Sequence, residues 1–291
     1  MTINISANLV NELRAKTGAG IMDCKKALIE NNGDLDTSID WLRKKGAASV
    51  AKKADREAKE GAMSVFIDGD QAVVLEVNCE TDFVARNDKF QDIVKKITEH
   101  AVRHNITTLE GLIDSQIEAN IKVSEYITNS AAIIGEKLSL GAFAAERGSL
   151  IFSYVHNAYS PTAGKIAVLV SFDSNLDKSS LQELGRKVAM HIAAADPLPL
   201  ALNISDLDEN LIDREKSIFA DQAKASGKPE AVIEKMLEGK MRTFYEGVVL
   251  NEQISMLGDK MKIKDMVNDF AKSKGGNATI KSYQRFQIGR N

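Results

Sequence analysis

The 291-residue chain carries 38 basic and 41 acidic side chains, a formal net charge of -3. That balance excludes the basic footprint of a dedicated nucleic-acid binder, and aromatic content of 5% leaves no basic–aromatic platform for single strands. Hydrophobic content of 44% and charged content of 27% describe an ordinary globular protein, long enough for two or three domains with cores of their own.

Cys24 and Cys79 lie far apart, sparse usage that fits a reducing compartment better than a disulfide framework. No apolar run approaches the ~20 residues of a membrane span, and the first residues lack the basic-then-apolar layout of a secretory signal. The expected location is the cytoplasm, without membrane contact.

Residues 1–45 read as three short helices. Ser6 can cap the first, whose Leu9, Val10, Leu13 and Thr17 share a face; Gly18-Ala19-Gly20 breaks it. The second runs from Ile21 to Glu30, and after the Asn31-Asn32-Gly33-Asp34 turn Leu35, Ile39 and Leu42 continue a third. Ile21 and Met22, beside the glycine turn, suit either a core or a contact surface. Residues 46–60 lack large side chains and read as a linker with helical tendency.

Residues 61–104 form a first α+β unit. Met63–Ile67 and Gln71–Val77 are strands joined by Asp68-Gly69-Asp70. The second strand, with Val73, Val74, Leu75 and Val77, gives way to Asn78, Cys79, Glu80, Thr81 and Asp82, residues that end strands and cap helices. A helix follows, with Phe90, Ile93, Val94, Ile97 and Ala101 on one face. Asp82 and Phe83 therefore stand at a strand–helix junction, as a helix cap and a core ring or as a displayed carboxylate and ring. His100 and His104 have the four-residue spacing of a metal pair, but with no third ligand nearby they read as boundary histidines. Residues 107–147 read as helical.

Residues 148–200 repeat the first unit, with strands at Ser149–Val155 and Lys165–Ser171 flanking the loop HNAYSPTAG. FQDIVKKITEHA from Phe90 aligns without gaps to LQELGRKVAMHI from Leu181, matching Gln91 to Gln182, Lys96 to Lys187 and His100 to His191; only Val94, opposite Gly185, breaks the apolar match. Between strand and helix, however, the first copy has NCETDFVARNDK and the second FDSNLDKSS. A residue pair needed only to complete the fold should recur; Asp82-Phe83 occurs once, which favours a functional role.

Residues 203–244 read as a helical hairpin, with Leu207, Leu211, Ile218 and Ala225 facing Ile233, Met236, Leu237 and Phe244 across a Gly227-Lys228-Pro229 hinge. Dense charge on both arms predicts that it projects. Ile263–Ala271 reads as a helix and Ala278–Ile288 as a closing edge strand.

Two motifs carry a family resemblance. Thr81-Asp82-Phe83-Val84-Ala85-Arg86-Asn87 follows Glu76-Val77-Asn78-Cys79; near the N-terminus, Arg14 precedes Thr17-Gly18-Ala19-Gly20-Ile21-Met22-Asp23-Cys24-Lys25-Lys26-Ala27-Leu28. In this order, and with similarity over nearly the whole chain, the sequence resembles the elongation factor Ts family. The resemblance implies an α+β, multidomain fold: a three-helix, ubiquitin-associated-like bundle with its linker (1–54), a core subdomain (55–147), a second, duplicated subdomain (148–202 with 245–291), antiparallel sheets, and a protruding coiled-coil hairpin (203–244). It implies guanine-nucleotide exchange on the translational GTPase elongation factor Tu, with Asp82 and Phe83 entering near the partner's magnesium and phosphates. Thr81, Ile134, Gly135 and His156 would lie along the same edge, and Ile21 and Met22 would add an N-terminal contact. Many members continue into a further C-terminal helix that this sequence lacks.

No GxxxxGK[ST], no GxGxxG after a strand, and no HExxH or GxSxG occurs, so neither a bound nucleotide nor an enzymatic reaction is expected. No cofactor and no metal site of its own are expected either. A protein-interaction scaffold without exchange activity is the alternative, and self-association as a homodimer stays open.

Overall fold

The computed structural model describes residues 5–225, 227–257 and 260–289. Ser6 caps α1 (Ala7–Thr17) by accepting from the Leu9 amide at 3.2 Å, and Gly18, at φ 67°, ends it in a left-handed turn. α2 (Ile21–Glu30) and α3 (Leu35–Ala51) complete a bundle whose core is Val10, Leu13, Cys24, Ala27 and Leu28. α3 runs beyond residue 45, so part of the expected linker is helix; its alanines and lysines favour that state.

β1 (Glu60–Asp68) and β2 (Gln71–Cys79) form the expected hairpin, Asp68 opposite Gln71, with Gly69 supplying φ 59° in the turn. A one-turn helix α4 (Asp82–Ala85) precedes α5 (Asp88–Arg103). The segment expected to be all helix is not: α6 (Leu109–Asp114) leads to a small hairpin, β3 (Gln116–Glu118) and β4 (Ile121–Lys122), turning through Asn120 at φ 61°. Then α7 (Val123–Ile134) is followed by strand β5 (Ser139–Arg147) along β2. β5 carries mostly small residues and is half-buried along nearly all its length, so it shows no sharp alternation for periodicity to catch.

The second unit repeats this order. β6 (Ile151–Ser160) and β7 (Ala163–Ser174) form a hairpin, α8 (Lys178–Ala194) follows, and β8 (Ala278–Gln287) returns along β7 as β5 does along β2. The expected loop at 156–164 shrinks to Pro161-Thr162, because β6 continues through His156 to Ser160. Between α8 and β8 stand α9 (Glu209–Lys224), α10 (Glu230–Val248) and α11 (Ile263–Ser273).

The two three-stranded halves join into one six-stranded antiparallel sheet where Met63 and Ser64 meet Gly164 and Ala163. The halves also share a core. Met63, Val65, Ala72 and Val74 pack with Ile151, Ala167 and Leu169, whereas the alternate residues Val73, Leu75 and Val77 pack with Phe90, Val94 and Ile97 of α5. Every residue of β2 is therefore buried, which accounts for its unbroken apolar run. On the far side Phe152, Val168 and Val170 pack with Leu184, Val188 and Ile192 of α8.

The mismatch of Val94 with Gly185 has a local cause. A Cβ at Gly185 would lie 2.2 Å from the Phe152 ring, which occupies the space a valine would fill. The matched histidines are both buried anchors. His100 meets Ser115 Oγ at 2.8 Å and stacks with His104 at 4.2 Å, while the His104 Nδ1–H donates to the His100 carbonyl at 3.0 Å. His191 Nδ1 accepts from the Met256 amide at 3.3 Å, so its Nε2–H donates to Gln253 Oε1 at 2.9 Å. Gln253 Nε2 in turn donates to the carbonyls of Pro197 and Gly247 at 3.0 and 2.7 Å, fastening the root of the helical hairpin.

The hairpin itself is turned slightly from the expected register. Ile218 and Ala225 are exposed, while Phe219 and Ala223 face α10, and Lys240 sits over the Phe219 ring at 5.3 Å. Two neighbouring stripes of apolar residues run along α9, and the one with the larger ring takes the seam. Gly227 at φ 67° and Pro229 as the cap of α10 form the hinge.

Gly185→Val should cost ~3 kcal/mol in urea unfolding through overpacking. Phe152→Ala in the same chain should recover part of that loss, giving a non-additive double-mutant cycle. Burial holds the His191 imidazole below its usual pKa of 6.5, so the folded state resists the proton that the unfolded chain accepts. Stability from this site is thus present above the unfolded pKa and lost as pH falls below it, towards the lowered folded value. Unfolding free energy should drop as pH is taken from about 7.5 to about 5.5, across the unfolded value, and His191→Asn should make the drop smaller.

Candidate functional site

β2 ends at Cys79, and the chain must turn before α5 can lie across the sheet. Thr81 makes that turn: its hydroxyl accepts from the Val84 amide at 3.3 Å, so Thr81, and not Asp82, is the helix cap. Asp82 becomes the first helical residue, where a carboxylate favours the positive end of the helix. Asn87 caps α5 by accepting from the Lys89 amide at 3.0 Å, which breaks the helical run after one turn. The Gln91 side chain donates to the Ala85 carbonyl at 2.6 Å and ties the short helix to the long one.

On this turn Phe83 is 84% exposed. It belongs to no core, so a role for Phe83 as a core ring is excluded. Among the described residues, the carboxylate beside it pairs with Arg86 at 4.0 Å, an exposed ion pair of little energetic weight. Arg86 also lies over the Tyr159 ring at 5.1 Å, placing the end of β6 beside α4. The neighbouring thiol is chemically quiet: burial, the first cause, and the nearby Glu136 push Cys79 up to about 12, and its Sγ–H donates to the Thr81 carbonyl at 3.1 Å.

The second predicted patch lies at the end of α7. Ile134 is half-buried against the first core, and Gly135 closes the helix at φ 90°, with nothing near where a Cβ would stand. The next residue joins this patch to the first. Glu136 Oε2 accepts from the Glu80 and Thr81 amides at 3.0 and 3.1 Å, and Oε1 accepts from the Thr81 hydroxyl at 2.7 Å. Glu80 answers in the other direction, accepting from the Lys137 amide at 2.7 Å and from Arg56 at 3.1 Å. These contacts, with Lys137 first and Arg56 next, hold the Glu80 carboxyl below its ordinary pKa.

Glu80, Glu136 and Arg56 are not marked as site residues by any sequence motif of their own. Their partners are 24 to 57 residues away in the chain, and no local period signals such contacts.

The third patch, Ile21 and Met22, opens α2 and is 50% and 75% exposed, which excludes a core role for both. The Ile133 side chain lies against Gly18 in the turn just before them, and a Cβ at Gly46 would stand 2.8 Å from that of Ala132. The bundle therefore rests against α7, near the patch at Ile134 and Gly135. His156 stands apart: it is half-buried in β6 opposite Ile166, with its Nδ1 3.3 Å from the Tyr154 hydroxyl. Further along the same strand, Tyr159 lies under Arg86 of the Asp82–Phe83 turn.

The second unit supplies an internal comparison. After β7, Leu176 turns inward against the second core, and a Cβ on Gly276 would stand 2.6 Å from it. Where the first unit displays a ring, the second packs a half-buried leucine against its core.

Together these residues make an exposed apolar and acidic edge on a braced frame, suited to contact with a protein. No helix among the described residues is long and apolar enough to cross a membrane.

The family model described as "Elongation factor TS" matches residues 80–290. Elongation factor Ts of Rhodospirillum rubrum is 46% identical over 98% of this chain and 93% of its own length. The proteins of the same name from Caulobacter vibrioides and Rickettsia felis are each 44% identical, covering 98% and 99% of this chain and 92% and 93% of their own. With its motifs in order and its length matched almost end to end, the chain belongs to the elongation factor Ts family and is a factor rather than an enzyme.

Proposed function

We propose that the chain is a guanine-nucleotide exchange factor for elongation factor Tu, working in the cytoplasm where translation runs. The observation that carries this reading is the Phe83 ring, 84% exposed beside a carboxylate on a capped, braced turn. Burying such a ring is worth ~1.5–3 kcal/mol, a gain the chain's own fold leaves unused and a partner can take. Phe83 enters an apolar gap near the partner's bound magnesium. Asp82 brings negative charge to the metal–phosphate region, where a small shift loosens a site built from few protein ligands. Ile134, Gly135 and His156 press the adjoining surface, and Ile21 and Met22 add affinity. We further propose that the chain works as the units expected from the sequence, with the helical hairpin as a projecting element whose second helix runs on to Val248, past the expected boundary at 244.

Linkage sets the scale. A factor that weakens nucleotide binding is itself bound more weakly, by the same ratio, when nucleotide is present. Loosening GDP by several decades requires ~4–6 kcal/mol of differential contact, at ~1.4 kcal/mol per decade. One ring falls short of that, so several patches must act together. Exchange is reversible, and net loading with GTP follows from the nucleotide ratio around the complex.

Asp82→Ala with Phe83→Ala should abolish most stimulation of GDP release from elongation factor Tu while leaving much of the binding. Full activity in this double variant, measured by stopped flow, excludes the wedge. Binding without any change in GDP release by the unaltered chain favours the scaffold alternative. Ile21→Ala with Met22→Ala should instead weaken binding about tenfold and leave the saturated release rate nearly unchanged. A loss of the saturated rate at intact affinity contradicts the role given to the bundle.

A further inference from the structure

Residues 80 and 81 lie between two regular elements. β2 has ended at Cys79 and α4 has not begun, so their amides receive neither a ladder nor a helical partner. Both instead donate to a single carboxylate oxygen of Glu136, at 3.0 and 3.1 Å, and the Thr81 hydroxyl donates to the other at 2.7 Å. Hydrogen bonds to an ionised acceptor are stronger than neutral ones. Three of them converge on the two residues directly before Asp82.

The other restraints on the tip act within or beyond α4: the Thr81 cap on the Val84 amide, the Gln91 bond to the Ala85 carbonyl, and the packing of Val84 and Ala85 in the first core. Glu136 holds the backbone that enters it. α4 spans only Asp82–Ala85, too short to persist by its own helical cooperativity. Phe83 is too exposed to be steered by packing, and the Asp82–Arg86 pair is exposed and weak. Glu136, by contrast, is anchored on both sides. Lys53 Nζ donates to the Gly135 carbonyl at 2.5 Å, and Lys137 Nζ donates to the carbonyls of Ala54 and Arg56 at 2.6 and 2.9 Å. The Lys137 amide meets Glu80 at 2.7 Å, so each turn holds the backbone of the other through a glutamate.

We propose that Glu136 is a positioning residue for nucleotide exchange: its carboxylate clasps the Glu80–Thr81 backbone and fixes the direction in which Asp82 and Phe83 leave the sheet. This inference rests on the exchange reading above. A residue that only orients the tip acts after encounter, so its loss lowers the saturated rate of GDP release more than the apparent affinity.

The test combines two measurements on the full-length chain. In stopped-flow GDP release from elongation factor Tu, Glu136→Ala should reduce the saturated rate about tenfold, with less than about threefold change in the half-saturating concentration. Glu136→Gln keeps one carbonyl acceptor for both amides and an amide group for the Thr81 hydroxyl, so it should return to within about threefold of the unaltered chain. In the free protein, hydrogen exchange at the amides of residues 80 and 81 should quicken in Glu136→Ala and stay slow in Glu136→Gln.

Unchanged protection of those amides in Glu136→Ala overturns the inference whatever the kinetics show. An unaltered saturated rate in Glu136→Ala, alongside an inactive Asp82→Ala/Phe83→Ala chain, overturns it and leaves the exchange reading standing. Full activity in the Asp82→Ala/Phe83→Ala chain removes both. Should Glu136→Ala not fold, the inference is decided on Glu136→Asp, whose shorter reach should lower the saturated rate and the protection together.

Discussion

The burial of β2 on both faces is the constraint on which the rest of the molecule depends. Val73, Leu75 and Val77 meet α5 on one side, while Ala72 and Val74 meet the second half-sheet on the other. A strand held in this way cannot slide by one residue without exchanging its two environments. The segment after Cys79 is therefore delivered to a fixed place, and that segment is the turn carrying Asp82 and Phe83. Even the polar residues of the strand obey the constraint. Buried Glu76 accepts from the Ala142 amide at 3.1 Å and from Asn78 at 2.8 Å, and Gly141 opposite leaves room for it, since a Cβ there would stand 2.7 Å from its carboxylate.

The two units use one plan for different ends. In each, a hairpin, a helix against its face and a returning third strand make a layer, and the layers share a common core. At Gly185 the helix carries no side chain, and the Phe152 ring entering from the strand takes that space. At the strand–helix junction the difference is of another kind. Leu176 closes the second junction from inside, whereas the first is extended by a capped turn that leaves Phe83 in solvent. That asymmetry separates a residue used in folding from one available to a partner.

Electrostatics serves geometry around this edge. Glu80 and Glu136 each bring to this edge a carboxylate whose charge calls for local compensation. Arg56 beside Glu80, and the backbone and hydroxyl donors around Glu136, supply that compensation. Asp82 carries only a loose pair with Arg86 among the described residues. Its contrast with Glu136 parallels that of Phe83 with Leu176: one member of each pair completes the fold and the other faces outward.

Much of this was legible in the residues alone. Capping by Ser6, the glycine turn after α1, the β1–β2 hairpin, the Gly227–Pro229 hinge and the closing strand β8 each follow from local chemistry acting over a few residues. The singularity of Asp82-Phe83 could be seen by aligning the chain with itself. Local pattern failed where distant partners decide the state. β5 is a strand because β2 offers it an edge, His156 lies in β6 because β7 continues alongside, and the seam of the helical hairpin follows Phe219 because α10 receives it there. Residue order was thus enough for elements whose stabilising contacts lie within a turn or two of the chain, and for singling out the acidic–aromatic pair. That Phe83 is exposed and that Glu136 holds its turn emerged only from the folded arrangement, because burial and long-range hydrogen bonds depend on residues more than fifty positions away.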